Sequence, residues 1–201
     1  RMNSGHELPE RTTSSKDRFD KKTVLWVATM GPRKQPWKFV DLVRQCQDKN
    51  WHFVMVGGHS DQQYLNSFLK DVPDNLHCTG RLPFEEALAW FNKATVFVNT
   101  STSEGEGFPN TFIQSWLRGV PVVSLTVDPD DILKKKELGY IAHGDFERMK
   151  ADLENLLTNM IVYNSHSERV SAFARNNYTV DKVVDQFLEV IYPTHKKSSE
   201  K

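Results

Sequence analysis

"TVLWVATMGPRKQPWKFVDLVRQC", residues 23–46, sets an apolar run against a turn and then against a helical period. The run "TVLWVAT" (23–29) is what a strand buried on both faces looks like, since neither face has to meet water. "MGPRKQP" interrupts it. Pro36 suits the first turn of a helix, where a missing N–H leaves nothing unpaired. Behind it Phe39, Val40, Val43 and Cys46 return at helical spacing and mark one buried side.

The same strand, loop and helix unit then repeats along the chain. "HFVMVGG" (52–58) predicts a second strand and 61–70 a second helix; "NLHCTG" (75–80) and "PFEEALAWFNKA" (83–94) predict the third pair. "TVFVNTS" (95–101) is the fourth strand, followed by a helix from about Asn110 to Arg118, which Gly119 closes. "VPVVSL" (120–125) is the fifth strand, "PDDILKKKELG" (129–139) a helix, and "YIAH" (140–143) a short sixth strand. Amphipathic helices finish the chain, with Val180, Val183, Val184, Phe187, Leu188 and Ile191 on one stripe. Strands alternating with helices over short connections define an α/β fold. The expected form is a Rossmann-like doubly wound parallel sheet of about six strands with helices on both faces. Residues 23–192 make that domain. Residues 1–22, polar and rich in turn formers, read as an interdomain linker, and 193–201 as a disordered tail.

A chain of 201 residues buries roughly 70% of the surface its unfolded form exposes, so it needs neither disulfide nor metal to be stable. Lys and Arg number 26, as do Asp and Glu, and a zero net charge gives no support for nucleic acid as partner. Cys46 and Cys78 match no metal or redox spacing and read as reduced core thiols of a cytoplasmic protein. No window approaches the roughly 18 apolar residues of a membrane span.

In a doubly wound sheet ligands bind beyond the carboxyl ends of the strands. The informative loops are therefore "MGPRKQ", "GGHS", "TGRL" and "TSTSEGEGFPN". In the last of these, glycines at 105 and 107 let backbone approach a ligand closely. The helix that follows offers free N–H groups and about half a positive charge, a seat for an anion. Pro109 withholds one donor, leaving Asn110 and Thr111. Glu106 would be out of place beside a phosphate alone, but a carboxylate accepts strongly from the hydroxyls of a sugar. Spacing by itself leaves a second reading open, in which Glu106 only favours the helix start and Gln114 is a solvated polar residue.

"SEGEGFPNTFIQSWLRGVPVVS" resembles the signature segment of the group 1 (family 4) retaining glycosyltransferases, enzymes of the two-domain GT-B fold. "LWVATMGPRKQPWKFVDL" is similar to their first strand and lysine loop, "LHCTGRL" to their base-binding turn, and "NSGHELPE" to the stretch after their interdomain connection. The resemblance covers about residues 3 to 190. It implies the C-terminal, donor-binding half of such an enzyme, with a nucleoside-diphosphate sugar as substrate and no cofactor or metal. Carried onto matching positions, Glu106 binds donor-sugar hydroxyls beside the backbone of Gly107 and Phe108. Asn110 and Thr111 meet the diphosphate, and Lys34 neutralises it as it leaves. Gln114 takes the ribose, while Gly80, Arg81 and Leu82 contact the base. The implied partners are the nucleotide-sugar donor and the enzyme's own N-terminal acceptor domain, with any peripheral contact to the inner face of the membrane made through that other half.

Two positions depart from the family. An arginine is usual five residues before the lysine, where Thr29 stands, and Arg33 is the candidate to replace its charge. The second motif glutamate is Gln114, an amide that still donates to and accepts from hydroxyls but forgoes a charge-assisted bond. These departures keep a second reading in view, a degenerate nucleotide-sugar-binding module. A third, a sugar-nucleotide epimerase half of the same fold, would need histidine and acidic groups at the anomeric centre. "VDPDD" (127–131) invites a metal reading, but its place after the fifth strand favours Asp128 or Asp130 as a helix cap.

Overall fold

A computed structural model describes residues 5–9 and 13–191. Six strands, β1 (Thr23–Val27), β2 (His52–Val56), β3 (Leu76–Gly80), β4 (Val96–Asn99), β5 (Val122–Ser124) and β6 (Gly139–Ile141), form one parallel sheet in the order β3-β2-β1-β4-β5-β6. The helices are α1 (Ser15–Lys21), α2 (Pro36–Gln45), α3 (Gln62–Leu69), α4 (Phe84–Lys93), α5 (Asn110–Leu117), α6 (Ile132–Lys135), α7 (Phe146–Thr158), α8 (Met160–Asn177) and α9 (Val180–Ile191).

The apolar runs are continuous because both faces are covered. Val24, Trp26, Phe53, Met55, Val96 and Val98 pack under α2 and α7, while Leu25, Val54, Val56, Phe97 and Val122 pack under α4, α5 and α8. Chain order doubles back between β1 and β4, which are paired through Val24–Val96 and Leu25–Phe97. The loops leaving these two strands therefore diverge at the carboxyl edge and open a crevice there.

Several expectations change. The stretch expected as a linker contains α1, whose start Ser14 caps by accepting from the Asp17 N–H. Arg18 and Phe19 of α1 are buried, the Phe19 ring lying 5.4 Å from that of Tyr163 on α8. A polar segment hid this because only two of its side chains turn inward. Cys46 is a core thiol, but Cys78 is exposed, because β3 is the edge strand and its outer side is only partly covered. The helix expected over 129–139 shrinks to α6 after a 3₁₀ turn, since Asp130 and Asp131 adopt left-handed angles (φ 58° and 56°). Asp128 is the cap, its carboxylate accepting from the N–H of Leu133 at 2.8 Å and of Lys134 at 3.4 Å. Burial nonetheless raises its pKa, and those two amides oppose the rise. The tail 193–201 and residues 1–4 and 10–12 of the expected linker lie outside the described residues.

Candidate functional site

The loop after β1 is built to hold Lys34. A 3₁₀ turn over Pro32–Lys34 ends at Gln35, which sits at φ 46° before Pro36 opens α2. A left-handed non-glycine residue costs about 1 kcal/mol or more and persists only where neighbours hold it. The holder is Thr100, just past β4. Its hydroxyl accepts from the Trp26 indole N–H at 2.9 Å and lies 2.7 Å from the Lys34 carbonyl and 3.1 Å from that of Gln35. The Thr102 N–H donates to the Arg33 carbonyl at 2.8 Å, fastening the two loops a second time.

That fastening brings Lys34 to Glu106. Lys34 Nζ lies 2.5 Å from Glu106 Oε2, the two side chains 31% and 15% exposed. Arg33 turns to the same loop: a Cβ on Gly105 (φ 69°) would come within 3.2 Å of its Nη1. Adjacent cations thus converge on the loop 104–107 instead of splaying apart.

Lys34, Glu106, Pro109, Asn110 and Thr111 share a cleft of about 170 Å³ with Thr29, Asn99 and Ser101. Its floor is the carboxyl end of β1 and β4. Among the described residues no side chain caps α5, whereas Asp61, Asp145 and Asn159 cap α3, α7 and α8. The first amides of α5 are therefore available to an anion in this cleft. No histidine among the described residues lines it. Among the described residues, no three His, Cys, Asp or Glu side chains converge as a metal set.

Other expected residues fall elsewhere. Phe108 turns inward and is half-buried, its ring 5.5 Å from Tyr178 and 6.0 Å from Trp116. Gly107 is exposed beside it. Gln114, one turn along α5, lines a separate depression of about 670 Å³ bounded by residues 5–9 and by Phe84, Glu85 and Leu88 of α4. Gly80 (φ 73°), Arg81 and Leu82 form the turn from β3 to α4 and line neither cavity; Arg81 packs against Gly58 after β2. Thr100, Ser101 and Asn99 were not singled out from the sequence. Their one signal was the run "NTSTS" directly after a buried strand.

The chain matches the model of the Glycosyl transferases group 1 family over residues 21–159 and belongs to that family. No curated protein sequence matches it. Among solved structures it is similar to Anabaena HepE in complex with UDP and glucose (TM-score 0.78, 15% identity), covering 94% of this chain and 56% of that one. It is also similar to a mutant of S. aureus TarM in complex with fondaparinux, alpha-GlcNAc-glycerol and UDP (0.76, 16%; 95% and 39%). A third is the sucrose-phosphate synthase of Thermosynechococcus elongatus (0.74, 18%; 94% and 50%). The chain thus spans 39 to 56% of the length of these structures. Among the described residues no helix is long and apolar enough to cross a membrane.

Proposed function

We propose that this chain is the nucleotide-sugar-binding half of a retaining glycosyltransferase of family 4, which moves a sugar, a hexose by family analogy, from a nucleoside diphosphate to a saccharide or lipid-linked acceptor. The observation that carries this reading is the Lys34–Glu106 pair facing the uncapped start of α5 at the point where the sheet's order reverses. One cation, one carboxylate and free helix amides are the set a sugar diphosphate needs: the amides and Lys34 for the phosphates, Glu106 for the sugar hydroxyls. HepE and TarM, whose fold this chain shares, were solved with UDP bound.

In the proposed reaction the acceptor hydroxyl attacks the anomeric carbon from the face the diphosphate leaves. The carbon–oxygen bond to the diphosphate breaks, its electron pair stays with the phosphate oxygen, and that oxygen takes the acceptor's proton. Lys34 and the α5 amides stabilise the charge that grows there, where a fixed cation lowers the barrier most. Glu106 orients the sugar. Neither a metal nor a cofactor has a part in this scheme. The acceptor would come from the protein's other half, and these 201 residues alone are not expected to turn over. The protein would act in polysaccharide or glycolipid synthesis in the cytoplasm, with any contact to the membrane made through that other half.

Calorimetric titration with UDP, GDP and ADP, without metal, tests the site. Binding of one nucleotide that a Lys34→Ala, Glu106→Ala double variant weakens supports the reading; equal binding by both proteins overturns it. A degenerate binding module is the second reading, favoured by one observation: Gln114 lies outside the cleft that Glu106 and Lys34 share. Activity that appears in the whole protein only after Thr29→Arg and Gln114→Glu would select it.

A further inference from the structure

The loop 104–109 reads Glu-Gly-Glu-Gly-Phe-Pro, with a glycine on either side of the carboxylate that faces Lys34. Such a stretch does not hold its own shape. Arg33 meets it at Gly105, just before Glu106. Just after Glu106, Phe108 anchors it. The Phe108 ring lies 5.5 Å from that of Tyr178, tilted by 41°, and 6.0 Å from that of Trp116, edge-on at 76°. Both distances are within the range over which aromatic pairs attract. Tyr178 is 3% exposed and stands at the corner where α8 gives way to α9. Backbone closes that corner. The Tyr178 N–H donates to the Ala174 carbonyl at 2.8 Å, and its carbonyl accepts from the His6 N–H at 2.8 Å. The Val180 N–H in turn donates to the His6 carbonyl at 3.1 Å.

Tyr178 packs against three rings, and they are not equivalent. Trp116 and Phe173, 6.3 and 5.8 Å away, belong to α5 and α8 and are placed by those helices. Phe108 belongs to the loop and is half-buried. What the Tyr178 ring adds is therefore the place of Phe108, and Glu106, two residues earlier, moves with it. Lys34 and its loop are held separately, by Thr100 and Thr102. We propose that Tyr178 is a positioning residue for the donor's sugar: by seating Phe108 it holds the Glu106 carboxylate where the sugar hydroxyls arrive. This rests on the donor-site reading above.

The test titrates the chain with UDP, GDP and ADP, then with the sugar form of the nucleotide that binds (UDP-glucose, GDP-mannose or ADP-glucose). It reads the ratio of the two affinities. Tyr178→Leu should weaken the sugar form relative to the nucleotide by about twofold to tenfold, the worth of one aromatic pair, with the fold intact by circular dichroism. A general loosening of the structure would weaken both ligands alike. Tyr178→Phe keeps the ring and should keep the wild-type ratio. Because Tyr178 acts through Phe108, the double variant with Phe108→Leu should shift the ratio no further than Phe108→Leu alone. If Tyr178→Leu does not fold, Phe108→Leu carries the test, and a wild-type ratio there overturns the proposal. So do shifts that add in the double variant, or equal losses for both ligands in Tyr178→Leu. If Glu106→Ala shifts the ratio and Tyr178→Leu does not, this inference alone fails. If wild type binds neither a nucleotide nor its sugar form, both readings fall.

Discussion

Lys34 and Glu106 stand 72 residues apart in the chain and 2.5 Å apart in space, one on each of the two loops that diverge at the sheet's switch point. Both groups have other work if a donor binds, the lysine with phosphate and the carboxylate with sugar hydroxyls, so the pair must open for it. The two substitutions are therefore expected to differ. Glu106→Ala frees the ammonium and should leave UDP binding unchanged or tighter while weakening a UDP-sugar. Lys34→Ala should weaken both, and in the whole enzyme lower kcat by about 10²–10³, as loss of one fixed transition-state donor does. Thermal stability should fall by no more than about 1 kcal/mol in either, because a part-exposed ion pair contributes little. Parallel calorimetry on UDP and UDP-glucose checks this; equal losses for both ligands in Glu106→Ala would count against the assignment.

The strands and α5 were legible from residues alone because runs buried on both faces and a helix closed by Gly119 are local patterns. The convergence of Lys34, Arg33 and Glu106 was not local: it depends on Thr100 and Thr102, ordinary residues whose partners are carbonyls of a distant loop. α1 stayed hidden because its two inward side chains include an arginine, which no apolar period would reveal. Gln114 followed the family's spacing, yet spacing could not show that one helical turn separates two cavities.

Thr100 holds three groups with one hydroxyl, which makes its removal informative. Thr100→Val keeps the volume but leaves the Trp26 N–H and the Lys34 carbonyl without their partner. A loss of about 1–3 kcal/mol in stability is expected from the buried donor left unpaired. Nucleotide affinity should fall as well, since Gln35 then loses the contact that keeps its strained backbone in place. A chemical melt and a titration on the same sample check both effects; a stability loss with unchanged affinity would show that the lysine loop holds itself.

Arg18 is expected to matter as much as an apolar core residue. Its guanidinium donates to the Arg118 carbonyl at the end of α5 and lies 3.5 Å from Ser167 Oγ on α8. A hydrogen bond from a charged group contributes about 1.5–3 kcal/mol, and Arg18→Ala should cost an amount in that range. Phe19→Ala should be worse, near the 3–5 kcal/mol typical of a buried phenylalanine. Limited proteolysis should then cut within 13–22 in both variants before any other site. Wild-type resistance in Arg18→Ala would mean that Phe19 alone docks α1.

The two cysteines should separate cleanly by reactivity. Cys46 is buried between α2 and the sheet, and burial pushes its thiol up to about 11. Cys78 is exposed on the edge strand, with its thiol raised to a lesser degree by the packing around it. Only a thiolate attacks an alkylating reagent, so both factors protect Cys46, while Cys78 is slowed but reachable. At pH 8 iodoacetamide should add one carbamidomethyl group to the native protein, at Cys78, and a second only in denaturant. Raising the pH to 9 should speed the first addition and leave the second closed. Mass spectrometry of tryptic peptides reads both, and early labelling of Cys46 in the native protein would show that α2 opens far more readily than its packing implies.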